Sequence, residues 1–68
     1  MSTDKALDLL VSIERYNGGS LSILPKEVII QNYELLRDEA LKHEIGKDEY
    51  ADALVNLALN RIESLLIG

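Results

Sequence analysis

Apolar residues recur along this chain at three- and four-residue spacing, in three runs separated by glycine-bearing breaks. That period belongs to α-helices that bury one face. In the first run Ala6, Leu9, Leu10, Ile13 and Tyr16 make the stripe, widened by Leu7 and Val11, while Asp8, Ser12 and Arg15 fall opposite. Ser2 or Thr3 can cap this helix, and Asp4 suits the positive end of its dipole. Asn17-Gly18-Gly19-Ser20 stops it, since Asn and Gly readily take the left-handed conformation of a helix end. The pattern predicts a helix over residues 3–16.

Leu21, Ile23 and Leu24 follow in the connection. Three large apolar residues are expected to fold back over one end of the core. Pro25 fits the first position of a second helix, where its missing N–H costs nothing, and Glu27 follows in the first turn. This helix is predicted over 25–45. Ile29, Tyr33, Leu36 and Ala40 form one row, flanked by Ile30, Leu41 and Ile45. Val28 and Leu35 make a smaller apolar spot on another side. Gly46 reads as the stop, and Asp48 as the N-cap of a third helix over 48–67. So short a connection forces an antiparallel hairpin, across which the first helix must lie. The fold class is therefore all-α: a single domain over 1–68, built as a three-helix bundle.

The third run is too apolar for one side of a small bundle. Tyr50, Ala51, Ala53, Leu54, Val55, Leu57, Ala58, Leu59, Ile62, Leu65, Leu66 and Ile67 cover roughly 200° of arc, twice an ordinary stripe. Only Asp52, Asn56, Asn60 and Glu63 read as water-facing. Two short helices can hardly cover that arc. The excess, with the Val28/Leu35 spot, predicts a second apolar surface, and a two-fold homodimer is the commonest way to bury one. The expected interface comprises Val28, Leu35, Val55, Leu59, Ile62 and Leu66.

Length and composition sharpen that expectation. Sixty-eight residues with no cysteine hold neither a disulfide nor a thiolate metal site, so stability must come from helix packing, association, or both. The formal net charge of −5 argues against a phosphate-binding or anionic-lipid-binding surface. No run approaches a membrane span, and Asp4 and Asp8 interrupt any signal-peptide pattern. The expected location is cytoplasmic, with no nucleic acid or membrane as partner.

Candidate chemistry is sparse. His43 is the single histidine, with Glu39 four residues before it and Glu44 beside it. One imidazole with scattered carboxylates is a poor metal site, and a solvated histidine near a helix C-terminus is the expected state. None of the serines is flanked by the glycines of a nucleophile elbow. Arg61 falls inside the apolar arc with no acid three or four residues away. It must snorkel or meet Glu14, Glu34 or Asp38 from another helix. Arg37 has Glu34 and Tyr33 within helical reach. Acids crowd the hairpin end, where Glu39, Glu44, Asp48, Glu49 and Asp52 offer a surface to a basic partner, or a solvated face with pairs such as Asp38–Lys42.

Glu49-Tyr-Ala-Asp52-Ala-Leu-Val-Asn-Leu-Ala resembles the Glu-x-x-Asp helix of the all-α nucleoside-triphosphate pyrophosphohydrolases. The resemblance implies paired carboxylates holding Mg²⁺ against a triphosphate. It covers ten residues, and the Glu-x-x-Glu of an earlier helix is missing: Arg37 stands three after Glu34, and Lys42 three after Glu39. Mg²⁺ is weakly held by one carboxylate pair. The leading expectation is accordingly a small acidic protein-interaction module, not an enzyme, without cofactor or metal. It would be a regulator, inhibitor or assembly factor acting as a homodimer on another protein. A reduced pyrophosphohydrolase-like protein and an acidic DNA mimic are the alternatives.

Overall fold

In a computed structural model describing residues 1–68, the chain forms three helices, α1 (Thr3–Asn17), α2 (Lys26–Leu41) and α3 (Glu49–Ile67), and no strand. They pack as a three-helix bundle in which α3 touches both partners, most extensively α1, while α1 and α2 meet least. The bundle is elongated, 37 × 20 × 15 Å. No helix is long and apolar enough to cross a membrane.

The caps explain the boundaries. The Ser2 hydroxyl accepts from the Lys5 backbone N–H and opens α1. At its other end Gly18 and Gly19 both donate to the Glu14 carbonyl. The stop is not the left-handed turn expected there, because Gly18 has a φ of −166°. Glycine is needed at the next position for space: a Cβ on Gly19 would lie 2.8 Å from the Arg15 Cα. Pro25 sits one place earlier than expected, as the N-cap of α2, its carbonyl accepting from Val28 and Ile29. Asp48 caps α3 as the sequence suggests. Gly46, at a φ of +101°, turns the chain between α2 and α3 in a conformation that side-chain-bearing residues rarely adopt.

The core is thin. Nine residues are buried, all apolar: Ala6, Leu9 and Ile13 from α1, Tyr33 and Ala40 from α2, and Ala51, Val55, Ala58 and Ile62 from α3. Leu10, Tyr16, Ile29, Leu36, Leu54, Leu59, Leu65 and Leu66 pack around the main cluster, half-buried. Tyr16 meets Tyr33 edge to face, with ring centroids 6.1 Å apart, and joins α1 to α2. Burial, and secondarily the charge of Glu14, raise the Tyr33 hydroxyl pKa, while Arg61 acts in the opposite sense.

Several stripes are narrower than their sequence implies. Leu7 and Val11 on α1 stay exposed, as do Ile30 and Leu41 on α2 and Leu57 on α3. Of the three connection residues expected to fold back, Leu21 and Leu24 are half-buried, and Ile23 is 89% exposed. Two neighbouring helices cover only the centre of each stripe and part of its flanks. The remainder has nothing to lie against.

Candidate functional site

Polar interactions concentrate at the end of the bundle where α2 passes into α3. The second helix ends at Leu41, four residues short of its predicted end. His43 then turns inward, and its side chain is only 3% exposed, so it is not the solvated histidine the sequence suggested. Its Nε2 lies 2.5 Å from Oδ1 of Asp52, in the first turn of α3. The other oxygen of Asp52 accepts from the Gly46 backbone N–H at 2.9 Å. These two bonds, to His43 first and Gly46 second, hold the Asp52 carboxyl below the usual carboxylate range, against desolvation and the charge of Asp48. A carboxylate there requires the proton on Nε2. The buried Nδ1 of His43 has no hydrogen-bond partner.

Asp48 completes the arrangement. Its Oδ1 accepts from the backbone of Tyr50 and Ala51, and its Oδ2 accepts from the Thr3 hydroxyl at 2.9 Å. The Ala51 amide, then Thr3, then Tyr50 and the nearby His43 lower its pKa, against a desolvation cost. One carboxylate therefore ties α1 to the start of α3, and the other ties the α2–α3 connection to it. This is a mechanical clasp. The imidazole is almost wholly buried, and the Thr3 hydroxyl at this end of the bundle already donates to Asp48. A cleft of about 350 Å³ lies beside it, lined by His43, Ile45, Asp52, Ala53, Val55, Asn56 and Leu59.

The clasp redraws the acidic surface. Of Glu39, Glu44, Asp48, Glu49 and Asp52, the two aspartates are spent on internal bonds. Glu39 pairs with Lys42 at 3.7 Å and Glu44 with Lys47 at 2.6 Å, both in the open. Lys42 thus meets Glu39, not Asp38. Glu49 alone remains exposed without a salt bridge. The Glu49/Asp52 pair of the pyrophosphohydrolase resemblance is likewise divided, since both oxygens of Asp52 are held by His43 and Gly46. No group of three or more His, Cys, Asp or Glu is placed to hold a metal ion.

The six residues expected to form one interface fall on three different surfaces. Val55 and Ile62, at 3% and 0% exposure, belong to the chain's own core and cannot be its outside. Leu59 and Leu66 are half-buried flanks of that core. Leu35 follows inward-facing Tyr33 by two residues, about 200° round the helix, and lies exposed on the outer side of α2, while Val28 is half-buried near the start of that helix. The sequence pattern located an apolar excess correctly on α3 but put its edge in the wrong place.

The excess emerges beside α1. Arg61 meets Glu14, one of its three expected partners, at 3.0 Å. With Thr3–Asp48 at the other end, this bond makes α1 and α3 parallel neighbours. Tyr50, Leu54, Leu57 and Arg61 follow at i, i+4, i+7 and i+11, on the flank of α3 that Arg61 turns toward α1. Leu7, Val11 and Glu14 form the corresponding flank of α1. Tyr50 is 79% exposed, Val11 and Leu57 57%, and Leu7 46%. Nothing in the wheel of either helix taken alone selects this seam; the Glu14–Arg61 pair was the available signal. Comparison with known proteins finds no matching family model, no similar curated protein and no similar solved structure.

Proposed function

We propose that this chain is a small protein-interaction module that works as a homodimer, in the manner of a regulator, inhibitor or assembly factor. The observation that carries this reading is the number of large apolar side chains left outside the bundle, ten of them more than a third exposed. Its accessible surface is 4728 Å², where a compact monomer of 7.6 kDa is expected to expose about 4,300 Å². Contiguous apolar surface rimmed by polar residues marks interaction sites on soluble proteins. A chain with so thin a core and no disulfide also gains stability by association. Recognition is by helix faces, through knobs such as Leu57 and Tyr50.

Sedimentation equilibrium tests the reading directly. The expected species at tens of micromolar has twice the 7.6 kDa chain mass, and dilution should separate it into protomers. A monomer throughout that range, binding no dye specific for exposed apolar surface, removes the basis of the proposal.

A further inference from the structure

We infer that the α1/α3 seam is the surface through which two copies of this chain pair, and that they pair antiparallel. The inference rests on the homodimer reading and adds its surface and geometry. The occupant follows from the charges at the two ends of the apolar strip. Where the parallel helices begin, Asp4 continues the Leu7/Val11 row in the first turn of α1, and Glu49 stands exposed just before Tyr50 in the first turn of α3. Toward their other ends the strip is bordered by Arg15 in the last turn of α1 and by Arg61, with Glu14 as the one acid between two cations. The Arg61 guanidinium is held by Glu14 through Nε, and its side chain remains 41% exposed.

Two helices lying side by side can meet their own copy face to face about a two-fold axis in only two simple ways. An axis along the helices stacks α1 on α3 of the partner, running parallel. Asp4 then faces the end that carries the partner's Glu49, and Arg15 the end that carries the partner's Arg61, so ends of like net charge meet even with Glu14 counted. An axis across the helices stacks α1 on α1 and α3 on α3, running antiparallel. Asp4 then faces the partner's Arg15, and Glu49 faces the end that carries the partner's Arg61. Like-charge juxtaposition selects against the first arrangement and opposite charge steers the second. The axis passes near the middle of both helices, close to Val11 and Leu57, so the apolar residues occupy the centre and the charges the rim. That is the anatomy of a stable interface.

The absence of cysteine in the natural chain makes the geometry readable by cross-linking. The Leu57→Glu substitution should weaken dimerisation on the order of 30-fold or more, as loss of a central apolar anchor does. It should leave the helical circular-dichroism signal intact, because Leu57 is already 57% exposed in the protomer. Leu35→Glu, on the outer side of α2, should leave dimerisation unchanged. An oxidised equimolar mixture of Asp4→Cys and Arg15→Cys chains should give mainly the mixed disulfide dimer, and Leu57→Cys alone should cross-link to itself. A wild-type monomer overturns both the inference and the reading beneath it. A wild-type dimer that resists Leu57→Glu overturns the inference alone, and predominant Asp4→Cys self-disulfides overturn the antiparallel arrangement.

Discussion

Replacing Ile62 by alanine tests the thin core most directly. Ile62 and Ile13 are the largest fully buried side chains, and four of the nine buried residues are alanines, with little side chain to move into a hole. The substitution removes three carbons, worth about 2.4 kcal/mol at 0.8 kcal/mol per buried methylene. The residual cavity brings the cost to roughly 3–4 kcal/mol, inside the range found for such truncations. A folded chain of this length has about 3–10 kcal/mol in total. Urea unfolding followed by far-ultraviolet circular dichroism should therefore place the variant's midpoint about 2–3 M lower, or find it already unfolded in water. Leu57→Ala is the control, since more than half of that side chain is already in water. The single chain should lose about 1 kcal/mol or less. Any further loss must depend on protein concentration, which isolates the part due to association. A midpoint for Ile62→Ala within about 0.5 M of wild type, or a larger concentration-independent loss for Leu57→Ala, would refute this packing.

Other properties of the bundle have equally definite outcomes. Asp48 and Asp52 have folded-state pKa values below their ordinary value of 3.8. Their contribution is therefore complete above that pH and is lost as the pH falls through the lowered values. Asp52→Asn should lower thermal stability at neutral pH and flatten the acid limb of an unfolding titration. An unchanged acid limb would show that the clasp does not form. Tyr33 has a raised pKa, so its contribution is complete below pH 10.0 and disappears as the pH rises through the folded value. Ultraviolet titration should find one of the three tyrosines ionising late, and Tyr33→Phe should abolish that late step. Gly46→Ala places a Cβ at a φ of +101° and should cost roughly 1–2 kcal/mol in thermal unfolding, although no neighbour crowds it. Hydrogen exchange should show the Gly46 amide protected in the wild type and exposed in Asp52→Ala, since the carboxylate is its acceptor.

The helices were legible because their signals are local. Ser2 and Asp48 cap in the places their side chains suggest, and the buried row from Ala51 through Val55 and Ala58 to Ile62 follows the helical period. The origin of a broad stripe is not local. On α3 the apolar arc is continuous, so the wheel alone does not say which residues lie innermost. That depends on where the two neighbouring helices stand. Val55 and Ile62, expected at an interface, are therefore core in the fold, while Leu57, which the expected interface left out, is outside. Arg61 shows the middle case. Having no acid on its own helix, it had to find one elsewhere, and the parallel packing of α1 and α3 chose Glu14 over Glu34 and Asp38.

The clasp was illegible for a related reason, and it changes what the acidity of the chain means. Counting carboxylates near Gly46 suggests a negative surface, but a carboxylate is also the natural acceptor for helix-end and turn amides that lack partners. Asp48 answers that need at the start of α3, and Asp52 at the turn through Gly46. His43 then supplies a donor to Asp52 from nine residues away, which no helical spacing connects. With those two acids bound inward and Glu39 and Glu44 beside lysines, Glu49 is the one acid of the five left exposed without a bonded partner. The larger unpaired feature on the outside of the molecule is apolar. An electrostatic reading of function therefore predicts strong salt dependence of binding, whereas burial of the Leu7, Val11, Tyr50 and Leu57 strip predicts a large negative heat-capacity change with little dependence on salt.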